Sequence, residues 1–472
     1  MSSTHHTVQN FGRNVSFLPK RAYQPKSEDD VLRILGENRG SRIRVIGRLH
    51  SYSEAACCED VLLDLRHLDS VQTEPRANGV WATIGAGCQV KRVLTELERQ
   101  TDATLPSVGL ITEQAIAGAI STGTHGSGKH SLSHYAAEVR VATYDSATGE
   151  PVIRTINEGS ELRAARCSLG CLGVIVSVSF WVRPQYCVEE HFRRYDTLAE
   201  VVAAEDTFPL QQFYLIPWRW DYWVQHRREV QAPRSWQALI YQAYFFVVME
   251  VGLHLVVLFL SKLCRLRWAT HFFFRRVLPL TVIRHWKVVG KSQDLLVMEH
   301  ELFRHVEIEV FVTRSKLDDA IAFVKELVSY FDGDDNALPF ATRERLEQLG
   351  LLNPTDIGAY THCYPICVRR ILPDDTLISM ASSECEDSYS ISFNCYARPS
   401  ELQGFNRFSK VLTRSMASLF QARPHWGKVC PMDAATVKSV YSNLAKFQRV
   451  SAEFDPDGRF RNEWVTQLLF AG

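Results

Sequence analysis

The sequence predicts an α+β protein of two or three domains, on three observations. At 472 residues the chain exceeds what one ordinary hydrophobic core supports, at roughly 100–200 residues per domain. Its first ~185 residues mix short strand-like runs, short helices and Gly-rich turns, without the strict strand–helix alternation of a parallel α/β sheet. From about residue 189 the chain turns richer in aromatics and long apolar runs, densest at 208–223, which marks a second unit.

The elements follow in order. Residues 42–46 (Arg-Ile-Arg-Val-Ile) and 61–65 read as strands, and 80–85 (Val-Trp-Ala-Thr-Ile-Gly) as a half-buried one. Residues 90–100 have the spacing of a short amphipathic helix, a second helix is expected over 113–120, and 121–130 is a Gly-rich loop. Strands are expected at 139–144 and 173–182, with Arg183-Pro184 closing the first unit. In the second unit, 243–260 gives eighteen mostly apolar residues, at the lower edge of a membrane span. Glu250 and His254 interrupt it four residues apart, on one helical face. Two readings stay open: a membrane-touching helix with Lys262, Arg265 and Arg267 as its basic flank, or a helix buried in its own domain or against a partner. Further on, 305–312 alternates like a strand, and the tail carries two compact signals, 423–428 and the turn 454–460.

Composition limits the function classes. Hydrophobic residues at 46% and charged residues at 22% exclude wholesale disorder and fibrous or disulfide-scaffold folds. Lys plus Arg and Asp plus Glu are both 53, so no global charge recommends a nucleic-acid partner. The twelve cysteines include the adjacent pair Cys57 and Cys58, and the N-terminus has no apolar stretch behind a basic start. Free thiols are therefore expected, in a protein that is cytoplasmic or membrane-associated on the cytoplasmic side. Cys167 and Cys171 form one isolated CxxxC, read as buried small hydrophobes and not as a metal site.

Two glycine motifs carry chemistry. Residues 123–129 (Gly-Thr-His-Gly-Ser-Gly-Lys) approach a Walker A loop, but His130 stands where the Mg²⁺-binding Ser or Thr belongs, which argues against a nucleotide hydrolase. Upstream, the strand 42–46 runs straight into Gly47-Arg-Leu-His-Ser51, setting a turn of backbone N–H groups and an imidazole at one strand end.

With 105–128 (Leu-Pro-Ser-Val-Gly-Leu-Ile through Ser-Thr-Gly-Thr-His-Gly-Ser-Gly), 169–175 (Leu-Gly-Cys-Leu-Gly-Val-Ile), 423–428 (Arg-Pro-His-Trp-Gly-Lys) and 454–460, these motifs resemble, in order, the aldonolactone oxidases. That family comprises the gulonolactone and arabinonolactone oxidases and their alditol oxidase relatives, of the vanillyl-alcohol-oxidase (PCMH) type. The resemblance implies a bilobed fold: an FAD-binding domain at 15–187, a cap or substrate domain at 188–421, and a C-terminal segment at 422–472 that returns to complete the FAD site.

It also implies roles. His50 is the residue to which FAD would be joined covalently, with Gly47, Arg48, Leu49 and Ser51 forming part of the pyrophosphate loop. Ser107, Gly109, Gly118, Thr122, Gly123, Thr124, His125, Gly126 and Gly128 would wrap the cofactor from the other side, Gly173 and Ile175 would meet its adenine side, and His425 would also contact it. Gly109, small and near the flavin's reacting face, favours O₂ as acceptor. Lys428 is the cation expected beside the flavin, where charge develops on reduction. The family's Glu-x-Arg pair maps onto Cys367 and Arg369, so Arg369 matches and Cys367 replaces a carboxylate; Glu307 or Glu309 could substitute for it. Arg369 could lower the Cys367 pKa. The implied activity is oxidation of a CH–OH group of a sugar lactone or polyol with O₂, giving hydrogen peroxide. Two alternatives stand beside it: a flavin dehydrogenase that passes electrons to an acceptor other than O₂, at a membrane or elsewhere, and a flavin-free binding protein.

Overall fold

The computed structural model describes residues 7–260, 266–298, 303–396 and 402–471. Three sheets organise the chain. A parallel three-stranded sheet sets Val61–Asp64 between Arg21–Tyr23 and Ile43–Ile46. An antiparallel sheet follows in the order Pro151–Ile156, Ala136–Tyr144, Val174–Pro184, Gly79–Gly85, Val71–Arg76, with Ala103–Thr104 pairing on Val174–Pro184. That last strand runs two residues past the expected stop, because Arg183 and Pro184 hold the pairing with Thr104 and Ala103. The helix expected over 113–120 is shorter and starts later, at Ile116–Ser121. Residues 112–115 are instead spent on loop contacts, with Lys91 and Val90 donating to Thr112 O and Gln114 O.

The third sheet has eight antiparallel strands, in the order Val288–Lys291, Cys187–Tyr195, Tyr222–Val230, Gln212–Leu215, Ile366–Ile371, Ser388–Cys395, Val306–Thr313, Arg423–Pro424. One face packs on helices Leu317–Asp332 and Gln403–Phe420 through Val306, Ile308, Val310 and Val312. The other face carries Glu307, Glu309 and Phe311, so this strand is buried on both sides and the sequence alternation separates core from cavity rather than core from water.

The C-terminal helices Ala434–Val440, Leu444–Phe454 and Glu463–Leu469 return to the core that holds the first two sheets. The turn between the last two anchors that return: Arg459 O accepts from Ile43 N–H at 2.8 Å, and buried Arg44 donates to Phe460 O. The expected helix at 243–260 is part of a longer one, Gln237–Leu258, whose middle is π-helical at Phe245–Gly252. It is long and apolar enough to cross a membrane, yet only 22% of its most apolar stretch is buried. Of its expected basic flank, Lys262 and Arg265 lie outside the described residues, and Arg267 donates to Gly358 O.

Candidate functional site

Two cavities meet in the interior. The first, about 1110 Å³ with its mouth, lies where the loop after Ile43–Ile46, the helix Ile116–Ser121, the turn 169–175 and the tail segment 425–428 converge. Its walls include Gly47, Arg48, Leu49, His50, Ser51, Gly118, Thr122, Gly173 and Ile175. The second, about 890 Å³, lies against the eight-stranded sheet and is lined by Gly109, His125, Cys367 and Arg369 together with Glu307, Glu309 and His305. Gln114, Thr124, His425 and Lys428 line both, so the cavities join at these four residues.

The first cavity suits an elongated dinucleotide. Its backbone walls are close and small: a Cβ added at Gly118 would meet nothing within 4 Å and would project into the cavity. Leu49, at φ +58°, takes a left-handed conformation unusual for a bulky residue and turns the loop so that His50 and Ser51 face inward. His50 stacks on Phe11 with ring centroids 5.1 Å apart. Arg48 Nε is buried without a protein partner, and Arg13 and Arg304 join Arg48 in a shallow cationic recess outside the loop, a setting suited to phosphate charge.

Four residues expected at the cofactor lie elsewhere. Ser107 and Gly126 line a small separate cavity of about 420 Å³, and Gly123 and Gly128 line neither of the two joined ones. The physical reason is clearest at Gly128, where the loop crosses the other lobe. Its N–H donates to Arg370 O at 2.7 Å, and a Cβ there would fall 1.7 Å from Pro209 O. This glycine permits close passage of two chains, not approach to a phosphate. Lys129, the residue in the Walker position, reaches Glu229 at 2.8 Å.

The tail enters the site by sheet pairing. Arg423–Pro424 pairs with Val306–Thr313, after which His425 N–H donates to Glu309 O and Val429 N–H to Glu307 O, both at 2.9 Å. Trp426 is fully buried, stacks on Tyr441 at 5.1 Å and donates to Ile378 O, which fixes the segment. Tyr52 N–H donates to Gly427 O, so the His50 loop and the tail hold each other. Lys428 at the junction is paired with Glu307.

Register explains how the site tolerates Cys367. Glu309 pairs across from Ser392, and Ser392 across from Cys367, so the three form one row over three adjacent strands. Glu309 thus supplies a carboxylate two strands from the expected place. It accepts from Ser392 Oγ at 2.8 Å and lies 3.3 Å from His125 Nε2. Burial alone would raise its pKa, but His125 and Lys428 overcome that and hold the carboxylate well below its usual range. His125 Nδ1 lies 3.0 Å from Gly126 O, so acceptors flank both ring nitrogens. Burial holds His425 neutral, with its pKa lowered to about 3, and its Nδ1 accepts from Gly427 N–H. The ligand atoms of His125, Glu309 and His425 lie within 4.8 Å of one another. Cys367 departs from expectation: burial raises its pKa and outweighs Arg369, so the thiol stays protonated. Arg369 keeps its charge and donates to Gln212 Oε1 at 2.9 Å.

The description D-arabinono-1,4-lactone oxidase belongs to the family model that matches residues 195–468, and an FAD-binding-domain model matches 19–151. The chain belongs to the D-arabinono-1,4-lactone oxidase family. Among its relatives, a long-chain alcohol oxidase of an uncultured marine euryarchaeote is 50% identical over 465 residues, covering 98% of this chain and 97% of the relative. An L-gulono-1,4-lactone dehydrogenase of Mycobacterium tuberculosis is 26% identical over 470 residues, 96% of each chain, and an alditol oxidase of Streptomyces sp. 25% over 484, covering 98% of this chain and 99% of the relative. Cholesterol oxidase from Brevibacterium sterolicum shares the fold, with TM-score 0.70 at 15% identity over 98% of this chain and 96% of that one. As a family member the protein is an FAD-dependent oxidoreductase acting on CH–OH donors, with a vanillyl-alcohol-oxidase-type FAD fold.

Sequence reasoning missed Gln114 and His305. Gln114 accepts from Thr124 Oγ1 at 2.8 Å, and His305 Nε2 lies 3.1 Å from Tyr52 OH; Gln114 sits inside the 105–128 motif without being singled out, and His305 is brought to the cavity by tertiary packing.

Proposed function

We propose that the protein oxidises the terminal carbinol of a long-chain primary alcohol to the aldehyde, with FAD held covalently at His50 and O₂ reduced to hydrogen peroxide. The observation that carries this reading is the composition of the second cavity. Leu110, Ile111, Met298, Phe303, Tyr364 and Tyr396 line it beside its charged and polar groups, and a protonated thiol, Cys367, stands where resemblance to the lactone and alditol enzymes leads one to expect Glu. The thiol removes one acceptor that a buried hydroxyl would need, and the six apolar and aromatic side chains offer contact to methylenes. The half-identical relative named a long-chain alcohol oxidase supports it.

FAD, when bound, supplies the hydride acceptor. The protein's part is to position and deprotonate. Arg369, a permanent cation buried beside Gln212, orients the hydroxyl oxygen, and the His125–Glu309 pair takes its proton. Lys428 at the junction provides fixed positive charge toward the cofactor cavity. Gly109 lines the second cavity with Thr124 Cγ2 packed 2.5 Å from where a Cβ would stand, and the O₂ role given to it rests on the family resemblance.

The test is peroxide formation by the holoenzyme on dodecan-1-ol, xylitol and L-gulono-1,4-lactone. The alcohol should be preferred in kcat/KM by about 100-fold or more, roughly 2.7 kcal/mol of transition-state discrimination. Cys367→Glu should move that ratio toward the polyol and lactone by about tenfold or more, roughly 1.4 kcal/mol. A wild type that prefers the lactone would overturn the substrate assignment. Turnover with a dye but no peroxide would make the protein a dehydrogenase.

A further inference from the structure

The described residues expose 17 large hydrophobic side chains, and 13 of them fall between Trp236 and Ile283. They are not scattered. On the helix Gln237–Leu258 and its flanks the exposed set is Trp236, Leu239, Ile240, Phe246, Val247 and Leu255, which recur after three to four, then seven, then eight residues, close to whole helical turns, and so share one broad face. The following helical run, Arg267–Phe272 through Leu278–Thr281, adds Trp268 at 68% and Leu280 at 84% exposure, with Phe272 between them. Exposed apolar side chains concentrated on one segment in this way mark an interaction site.

The opposite face of the first helix belongs to the enzyme. Ala238, Tyr241, Leu253 and Val257 pack into the protein, and Glu250 and His254 line the second cavity. His254 stacks on Phe303 at 5.1 Å and lies 3.5 Å from Tyr364 OH. One helix is therefore both a wall of the catalytic cavity and the core of the apolar surface. A helix with a cavity-lining carboxylate and a face packed on protein lies along a bilayer surface and does not cross it.

Charge identifies the partner. Residues 232–288 hold eight Lys and Arg and a single acid, Glu250, in a chain whose overall balance is 53 to 53. Arg276 and Arg284 are exposed on the same segment as Trp268, Phe272 and Leu280. An apolar face rimmed by cations matches an anionic phospholipid surface, where apolar burial and attraction to the headgroups add.

We propose that this helical surface docks the enzyme in the plane of an anionic phospholipid bilayer, and that the long-chain alcohol passes from the lipid along the helix Gln237–Leu258 into the catalytic cavity. The route rests on the long-chain-alcohol reading above; the docking does not. The experiment is co-sedimentation of the full-length holoenzyme with phosphatidylcholine vesicles, with and without 30% phosphatidylglycerol, in the absence of substrate, for the wild type, Leu239→Glu/Val247→Glu and Arg276→Glu/Arg284→Glu. The wild type should bind the anionic vesicles and release at high salt, and both variants should partition about tenfold or more weakly. Turnover of dodecan-1-ol supplied in those vesicles should fall in parallel, while turnover of hexan-1-ol in buffer stays within twofold, which also shows that the variants are folded. A wild type that remains in the supernatant at both compositions, or a stable dimer in solution whose dissociation follows Leu239→Glu/Val247→Glu, would overturn the docking. Vesicle binding without turnover of any long-chain alcohol would overturn the route and the substrate reading and leave the docking standing.

Discussion

Replacing Glu309 by Gln keeps shape and removes one charge. The amide oxygen can still accept from Ser392, but His125 loses its carboxylate neighbour at 3.3 Å. Loss of a positioned base typically costs about 10²–10⁴ in rate, or roughly 2.7–5.4 kcal/mol. The expected result is a fall of at least about 100-fold in the rate of anaerobic flavin reduction by substrate, followed by stopped flow. Flavin content should stay at the wild-type level, because Glu309 lines the second cavity and not the first. The wild-type carboxylate has its folded pKa depressed, so it remains ionised as pH falls to well below the usual carboxylate range. Its loss therefore does not produce any decline in rate between pH 8 and pH 6. A Glu309→Gln enzyme reduced within threefold of the wild-type rate would remove the His125–Glu309 pair from the proton path.

His50→Ala should abolish acid-stable flavin while the remaining walls of the first cavity retain some of it non-covalently; colour surviving acid precipitation would place the link elsewhere. Gly109→Ala should slow reoxidation of the reduced enzyme by O₂ more than its reduction by substrate, but the new methyl would fall 2.5 Å from Thr124 Cγ2. The cleaner comparison is therefore made in a Thr124→Ser background, and equal slowing of both half-reactions there would refute the assignment of Gly109. Glu229 joins Arg183 and Lys129 at 2.8 Å each, and the Arg183 hydrogen bonds lead in lowering its pKa to about 2. Its folded pKa is depressed, so its stabilisation is complete above the unfolded value near 4.3 and lost as pH falls toward 2. With the carboxylate 38% exposed, about 1–2 kcal/mol is expected. Glu229→Gln should lower Tm at pH 7 and match the wild type near pH 2; a difference independent of pH would contradict this origin.

What the sequence made legible was local. The strand into Gly47 and the loop to Ser51 could be read because a β-run ending in Gly before His and Ser is a contiguous pattern, and the tail because Pro424 and Trp426 mark a constrained segment. Glu309 was visible only as one of two candidates, since its place opposite Ser392 and Cys367 depends on the register of three strands separated by up to about 80 residues of chain. The glycines from 123 to 128 misled for a related reason. A glycine required by close chain passage and one required by a phosphate look the same in sequence, and only the nearness of Pro209 O to Gly128 distinguishes them. The helix Gln237–Leu258 was ambiguous because apolarity does not say which face is covered; the packing of Leu253 and Val257 against the exposure of Leu239 and Val247 does.

The central claim is that the cavity beside the flavin is shaped for an alcohol on an apolar chain. It is tested most directly by anaerobic reduction of the holoenzyme with hexan-1-ol, dodecan-1-ol and L-gulono-1,4-lactone, read as flavin bleaching. Six further methylenes are worth up to about 5 kcal/mol if fully buried, at ~0.8 kcal/mol each. Even half of that predicts a rise of roughly 70-fold in the second-order reduction constant from hexan-1-ol to dodecan-1-ol, with the lactone slower than either. A flavin bleached fastest by the lactone, with no dependence on alcohol chain length, would contradict the account.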